Sequence, residues 1–436
     1  MEKEIVTIRI NGLTHDGRGV GKYNGLAVFI ATALPGELVT AMITVKKKNY
    51  AEAELLEIVQ ASPHRIKPKC SIYEECGGCQ LLHLEYKQQL LEKTKLVENN
   101  LMKIADMKQP KVKPCLGMKH TLGYRNKIAY QVGGKKGSLQ LGFFRPKSNH
   151  FVAGFHCLLI SPVMSQIAEE VEKQINIHAV DGLHQILIRQ SQHSQETLLG
   201  LVFKDKNKDR QKQYKDFVDR LTAKFPKLIS VVEMYNADLS IPWQGDGSFF
   251  ETIADKRFKI SATSFFQINS LQAAELFKLA VSYCKEIKDK SILDLYCGTG
   301  SFSLFLADGA HKVYGIESNP SAVYDAKANA ELNHLENIEF ILGKAEVVAP
   351  LLIKKGVNPN IVVVDPPRKG CYPQLLELLL EIKAERLIYV SCDPATLARD
   401  LKVLATGYEV VEVQPIDMFP HTPHVECVVL MSRVKE

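Results

Sequence analysis

The sequence predicts an α/β fold in three parts: a small N-terminal β-barrel, a central α+β region and a Rossmann-like, doubly wound sheet. Three observations support this prediction. Short β-branched runs joined by glycine turns fill residues 1–60, strand-like and helical segments mix over 61–260, and buried strands alternate with helical stretches over 261–436. These three ranges are the predicted domains.

The bulk composition is that of an ordinary globular protein, with 436 residues, 46% hydrophobic and 24% charged. No apolar run is long enough to span a bilayer, and the first residues lack the shape of a signal peptide. We therefore expect a cytoplasmic protein with no membrane partner, acting as a monomer, whose ten cysteines are reduced. The net charge of +6 is compatible with a polyanionic partner such as RNA but does not require one.

The first 60 residues contain the runs EIVTIRI, LAVFI and ELVTAMITV. Turn pairs such as Asn24-Gly25 separate them, which is typical of a small barrel of short strands. A basic stretch with Arg65, Lys67 and Lys69 follows. Composition leaves two interpretations open: a solvated linker, or the basic rim of an oligonucleotide-binding barrel.

Three cysteines, Cys70, Cys76 and Cys79, fall within ten residues, ahead of a helix-like stretch from Leu81 to Leu101. A zinc site and an iron–sulfur cluster both need a fourth ligand, for which Cys157 is the candidate. Unligated thiols in a loop are the third interpretation. The five-residue gap between the first two cysteines argues against a radical S-adenosylmethionine enzyme.

A candidate cofactor turn, Asp294-Leu-Tyr-Cys-Gly-Thr-Gly-Ser301, follows one predicted strand, and Glu317 ends the next. A glycine turn at a strand's carboxyl end lets the backbone approach a ligand, and an acidic residue on the neighbouring strand can accept hydrogen bonds from ribose hydroxyls. Ser303 stands where a dinucleotide fingerprint has its third glycine. The turn, which resembles motif I of class I methyltransferases, therefore favours S-adenosylmethionine over NAD.

The segment Asp365-Pro-Pro-Arg368 ends the strand IVVVD. Two prolines stiffen the loop and remove two backbone donors, and the aspartate can reach a cofactor or a target base. Enzymes that methylate an exocyclic nitrogen usually carry an aromatic residue after the prolines. Arg368 in that place argues against such chemistry.

Cys392 follows the strand RLIYVS, at the edge where ligands bind in α/β sheets. A thiolate that attacks C6 of uracil activates C5 for methylation, after which a base must remove the C5 proton. This chemistry predicts a nucleophile at Cys392 with a depressed pKa. Glu426, at the start of the last apolar run, is the candidate base, with His421 and His424 as rivals.

Five segments together resemble the RumA/TrmA family of RNA 5-methyluridine methyltransferases, and the similarity covers nearly the whole chain. They are SFFQIN (264–269), DLYCGTG (294–300), DPPRKG (365–370), SCDPATLARD (391–400) and FPHTPHVE (419–426). The resemblance implies Cys392 as nucleophile and Glu426 as proton acceptor. It also implies that Phe265 stacks near a flipped uracil. The residues it places around S-adenosylmethionine and the target base are Gln267, Tyr296, Gly298, Glu317 and Asp365.

The N-terminal barrel resembles a TRAM domain, an RNA-binding module of many of these enzymes. In the TRAM-bearing branch of the family, cysteines at the spacing seen here hold a [4Fe–4S] cluster, which implies Cys70, Cys76, Cys79 and Cys157 as ligands. The same branch favours 23S ribosomal RNA as substrate, with the uridine of the tRNA T-loop as the alternative. A non-catalytic iron–sulfur RNA-binding protein is a further alternative. The family also suggests that residues near 91–118 pack on the catalytic domain.

Overall fold

The computed structural model describes residues 4–146, 148–235 and 239–434. Five strands close into a barrel in the order β1-β2-β3-β5-β4. They are β1 (Ile5–Leu13), β2 (Gly19–Tyr23), β3 (Leu26–Ile30), β4 (Leu38–Lys46) and β5 (Tyr50–Gln60). Val6, Ile8 and Ile10 alternate with outward residues and fill the barrel's own core.

An ion pair joins the basic stretch after β5 to the barrel. Arg65 Nε lies 2.6 Å from Glu37 Oε1, and Glu37 is fully buried. The same carboxylate accepts hydrogen bonds from the backbone N–H groups of Leu34 and Ser62. Arg65 therefore serves the barrel's structure, whereas Lys67 and Lys69 are exposed.

The central sheet has seven strands in the order β12-β11-β10-β9-β6-β7-β8. They are β6 (Lys127–Lys135), β7 (Ser138–Phe144), β8 (Phe151–Ala153), β9 (Leu183–Gln190), β10 (Thr197–Phe203), β11 (Leu228–Tyr235) and β12 (Leu239–Gln244). Helix α2 (Pro162–Ile177) lies between β8 and β9, and helices α3 (Arg210–Gln213) and α4 (Lys215–Lys224) lie between β10 and β11. Residues of α2 and α4 share one hydrophobic core with one face of this sheet. The opposite face, with Leu187, Leu198 and Val232, joins the core of the third part.

A hairpin of β13 (Ser248–Ile253) and β14 (Lys256–Ser261) leads into the third part. Its sheet has the order β17-β16-β15-β18-β19-β21-β20, parallel except for β21, which is antiparallel to both of its neighbours. Its strands are β15 (Ser291–Leu295), β16 (Lys312–Glu317), β17 (Ile338–Leu342), β18 (Ile361–Val364), β19 (Arg386–Ser391), β20 (Tyr408–Ile416) and β21 (Glu426–Arg433). The helices around it are α5 (Ser270–Cys284), α6 (Ser301–Ala307), α7 (Pro320–Leu332), α8 (Ala345–Lys354), α9 (Pro373–Ile382) and α10 (Pro394–Leu404). The predicted α/β fold with an N-terminal barrel is confirmed.

Helix α1 (Tyr86–Lys103) packs against the third sheet, although it lies far from it in sequence. Val97 and Leu101 belong to the same hydrophobic core as β15, β18 and β19. Val112 and Leu116 then form backbone bridges to β20. The packing suggested for residues 91–118 is confirmed. The predicted domain limits at 60 and 260 stay predictions.

No helix in these three described ranges is long and apolar enough to cross a membrane.

Candidate active site

The candidate cofactor turn lies directly after β15 and is shaped by left-handed backbone. Tyr296, Gly298 and Gly300 have φ values of 63°, 57° and 83°. A Cβ at Gly298 would meet nothing within 4 Å, so glycine serves the backbone conformation there. At Gly300 a Cβ would also lie 2.8 Å from the Phe340 ring. The turn is thus built for a close backbone approach at the carboxyl edge of the sheet.

Glu317 ties this turn to the neighbouring strand. Its Oε2 accepts a hydrogen bond from the Gly298 N–H at 3.1 Å, and its Oε1 accepts one from the Asn319 N–H at 2.8 Å. The carboxylate lies beside the glycine turn, where the sequence predicts contact with a ribose. In the described part of the chain the buried hydroxyl of Tyr296 has no hydrogen-bond partner, which leaves it available to a ligand.

One cavity of about 710 Å³ lies over the carboxyl edge of the sheet. The sequence predicts eight residues for catalysis, for cofactor binding or for contact with the target base. All eight line this cavity: Phe265, Gln267, Tyr296, Gly298, Glu317, Asp365, Cys392 and Glu426. They come from six separate chain segments. Five of them, Tyr296, Gly298, Glu317, Asp365 and Cys392, end or follow parallel strands, where the rule for α/β sheets predicts ligand-binding residues.

Phe265 and Gln267 lie on the segment before α5, which is held in place by Arg189 of β9 and by Asn126, the residue just before β6. The Arg189 guanidinium, 2% exposed, donates to the carbonyl oxygens of Ser261 at 2.6 Å and Ser264 at 2.8 Å. Asn126 Nδ2 donates to the Gln267 carbonyl oxygen at 2.9 Å. Phe265 nevertheless remains 74% exposed, so its ring is presented to an incoming ligand.

Substitution of Arg189 by methionine is expected to lower the free energy of unfolding by about 2–4 kcal/mol, because buried carbonyls lose their donors. For the RNA and the methyl donor that the resemblance implies, the loosened segment should also raise KM for the RNA more than it changes the affinity for the donor. Urea denaturation and steady-state kinetics measure the two effects. Exposed Arg257 on β14 is the matched control, and equal losses in R189M and R257M would contradict the assignment.

Two carboxyls in the cavity resist ionisation. Burial raises the pKa of Asp365 to about 7. Burial, and then the charge of Asp365, raise the pKa of Glu426 to about 8, while the Arg368 guanidinium acts in the opposite direction. A buried carboxyl with a pKa close to neutrality is suited to proton transfer.

The prediction of a depressed pKa for the Cys392 thiol is wrong. Burial, and then the charges of Glu426 and Asp365, raise the pKa of the Cys392 thiol to about 12. The Arg368 guanidinium acts in the opposite direction and favours the ionised thiol. The sulfur is only half-buried, however, and it shares the cavity with the glycine turn. Because burial and the two neighbouring carboxyls disfavour a thiolate, a positive charge near the sulfur, such as that of Arg368 or of a cationic ligand, is needed to activate it.

S-adenosylmethionine, the methyl donor that the resemblance implies, should release protons when it binds, because its sulfonium is cationic. Near a sulfonium the ionised forms of Asp365 and Glu426 are favoured, so their raised pKa values of about 7 and about 8 should fall. Near pH 7 we expect release of up to about one proton, which disappears at alkaline pH, where both carboxyls are already ionised. Calorimetry in two buffers of different ionisation enthalpy measures this release. S-adenosylhomocysteine, whose sulfur is uncharged, should release less, and equal release would contradict the explanation.

The two rival histidines occupy different places. His424 lines the cavity, and burial lowers its pKa. His421 is 6% exposed and contacts Gln89 of α1 rather than the cavity. The structure therefore favours Glu426 and His424 over His421 as the group that can reach a bound base.

Sequence reasoning missed several lining residues, which are Lys344, Glu346, Tyr372 and Phe419. Lys344 and Glu346 follow β17, so the strand-end rule that found Asp365 could have found them too. Tyr372 and Phe419 lie in loops, and no motif marked them as ligands.

The cysteines predicted as metal ligands meet in a second cavity of about 600 Å³. Cys70, Cys76, Cys79 and Cys157 all line it, together with Arg125. Burial, and then the nearby Cys157, raise the pKa of the Cys79 thiol to about 12. Within residues 4–146, 148–235 and 239–434, no group of three or more His, Cys, Asp or Glu side chains is arranged to hold a metal ion.

The two cavities are separated by one short segment. Ile268 lines the cysteine cavity, whereas Phe265 and Gln267 line the candidate active site. The Asn126 N–H donates to the Ile268 carbonyl at 2.9 Å and fixes the segment between them.

Two family models match the chain. The model described as tRNA (Uracil-5-)-methyltransferase matches residues 85–434, more than half of the chain, and the model described as TRAM domain matches residues 1–56. The second match covers most of the barrel.

Relatives of similar length carry RNA methyltransferase names. An uncharacterized RNA methyltransferase of Bacillus cereus is 40% identical over 453 residues, which cover 100% of this chain and 98% of the relative. One of Clostridium tetani is 37% identical and covers 97% and 95%. The crystal structure of Pyrococcus abyssi tRNA (uracil-54, C5)-methyltransferase with S-adenosyl-L-homocysteine is 27% identical, with a TM-score of 0.75 over 98% of this chain and 100% of that one.

Proposed function

We propose that this chain, which belongs to the tRNA (uracil-5-)-methyltransferase family, methylates C5 of a uridine in 23S ribosomal RNA through a covalent bond between Cys392 and the base. The enzyme class and its methyl donor are established by the family: the chain is an S-adenosylmethionine-dependent RNA methyltransferase. The nucleophile, the base and the target RNA are the proposed parts.

The observation that supports the mechanism is the shared cavity. A thiol at Cys392, a carboxyl at Glu426 and the glycine turn at Gly298 face one space, although they come from different segments. Uracil bound there can meet the sulfur, while the methyl donor lies along the turn. Phe265, largely exposed at the same cavity, is placed to stack on a base flipped out of the RNA.

The reaction proceeds in balanced steps. The Cys392 thiolate bonds to C6 of uracil, and the electrons of the 5,6 double bond move to C5 and O4. C5 takes the methyl group from the sulfonium, which leaves as a neutral thioether. Glu426 then accepts the C5 proton, the double bond forms again, and the thiolate leaves C6. The charge of Arg368, which favours the ionised form of Cys392, assists the first step.

S-adenosylmethionine fits the residues present. Glu317 can accept hydrogen bonds from ribose hydroxyls, since its carboxylate lies at the glycine turn. The unpartnered Tyr296 hydroxyl offers a further donor or acceptor at the same cavity.

The proposal of 23S ribosomal RNA rests on the resemblance to the TRAM-bearing branch with its four cysteines. A second candidate, the tRNA T-loop uridine, is favoured by the full-length structural similarity to the Pyrococcus abyssi enzyme, whose name specifies uracil-54 of tRNA. Mass spectrometry of nucleosides from both RNAs of a strain that lacks this protein separates them. Loss of 5-methyluridine from 23S RNA alone is expected. Loss from tRNA alone would replace the proposal by the second candidate.

We also propose that Cys70, Cys76, Cys79 and Cys157 hold a [4Fe–4S] cluster. Four thiols that line one cavity are the donor set such a cluster requires, and its four irons hold the ligands farther apart than a single ion does. Arg125 supplies a positive charge beside a cluster that is negative overall. Anaerobic purification followed by iron and sulfide analysis tests the proposal. About four irons per chain are expected, and C79S should lose them.

A further inference from the structure

The loop between the last two strands of the third sheet is held in place by helix α1, which lies outside that sheet. This loop, residues 417–425, joins β20 to β21, carries Phe419 and His424 into the cavity and leads directly into Glu426. Glu426 pairs with Ile416 in the ladder of β20 and β21, so the loop closes right beside the proposed base.

Two side chains of α1 contact the loop directly. Lys93 Nζ lies 2.5 Å from Asp417 Oδ1 and 3.2 Å from the Phe419 carbonyl oxygen. One turn earlier, Gln89 Oε1 accepts a hydrogen bond from the His421 N–H at 2.9 Å, and its Nε2 lies 3.2 Å from His421 Nδ1.

These contacts are deeply buried. Lys93 is 2% exposed, and Asp417 and Gln89 are fully buried. A buried ion pair gains little stability over an apolar packing of the same shape, because both ions lose their hydration. Such a pair does fix one geometry, and the left-handed backbone of His421, with φ of 68°, shows that the loop is held in a constrained conformation.

We propose that Lys93 and Gln89 are positioning residues that set Glu426 for removal of the C5 proton. The proposal rests on the covalent mechanism of the proposed function. Neither residue lines the cavity, so both act through the loop. Glu426 directly follows the loop in the chain, whereas Cys392 and the glycine turn follow β19 and β15, to which the loop is not joined. The first two chemical steps therefore depend less on α1 than proton removal does.

The test follows the covalent RNA adduct in single-turnover reactions of the full chain. K93M and Q89L should form the denaturation-resistant adduct within about twofold of the wild-type rate, and its decay should slow by about 100-fold, the cost of a misplaced catalytic group. K93R should recover most of the decay rate. K111M is the matched control, because Lys111 pairs with Glu409 of β20 on the exposed surface, and it should behave as wild type.

If K93M fails to fold, Q89L still tests the positioning role, because this substitution removes no charge. Equal slowing of adduct formation and decay in Q89L, or wild-type decay in both variants, would overturn the positioning role. Absence of an adduct in the wild-type enzyme would instead overturn the covalent mechanism, and the positioning proposal with it. The wild-type reaction thus distinguishes the two failures.

Discussion

Alanine in place of Cys392 should abolish methyl transfer, with a loss of at least about 10⁴-fold in kcat, because no other nucleophile can open the 5,6 double bond. Two cysteines, Cys297 and Cys392, line the active-site cavity, and Cys297 is almost fully buried. Binding of RNA and of the methyl donor should persist, since the thiol contributes little surface. Transfer of labelled methyl to RNA, with filter binding beside it, measures both.

The control for C392A is C284A. Cys284 is buried in α5 and lies outside the active-site cavity, so this variant should methylate normally. Residual methylation by C392A, at a rate comparable to that of C284A, would show that the covalent mechanism is wrong. Loss of RNA binding in C392A would show that the cysteine has a structural role.

Glutamine in place of Glu426 should trap the methylated adduct. The amide has the shape of the carboxyl but cannot accept a proton, so the enzyme should form the bond to C6 and then stall. We expect turnover to fall by about 10²–10⁴-fold, the range for loss of a general base. Denaturing gels that detect the RNA–protein species, with single-turnover kinetics, provide the measurement.

The pH dependence of adduct decay gives a second signature. Only the ionised carboxyl accepts a proton, and the pKa of Glu426 is raised to about 8. Decay in the wild type should therefore accelerate as the pH rises from about 6 to about 9, and should be nearly flat in E426Q. H424Q is the matched comparison, because His424 lines the same cavity. If H424Q traps the adduct and E426Q does not, the histidine is the base.

The strand-end residues of the site could be predicted because topology alone gathers them. Asp365 and Cys392 follow adjacent strands, β18 and β19, and parallel strands present their carboxyl ends at one edge. The direction of the Cys392 pKa could not be predicted in the same way. It depends on burial and on the distances to Glu426 and Asp365, which no motif encodes.

Contacts between segments that are distant in the sequence also could not be predicted. Lys93 and Asp417 are more than 300 residues apart in the sequence, and no sequence pattern around either residue predicts that they form a buried ion pair. The apolar pattern of the sequence also does not predict strand β20. Glu409 and Glu412 interrupt its apolar residues, and the former is exposed, so the segment lacks the continuous apolar run of β18 or β19.

The position of β21 has a consequence for biosynthesis. This strand is translated after both β19 and β20, yet it lies between them and pairs with each. Until it has left the ribosome, the two earlier strands lack the partner that joins them in the folded sheet, and the edges that it will cover are unsatisfied. The newly made chain thus gains its proposed proton acceptor, the first residue of that strand, only in the same late event that completes its sheet.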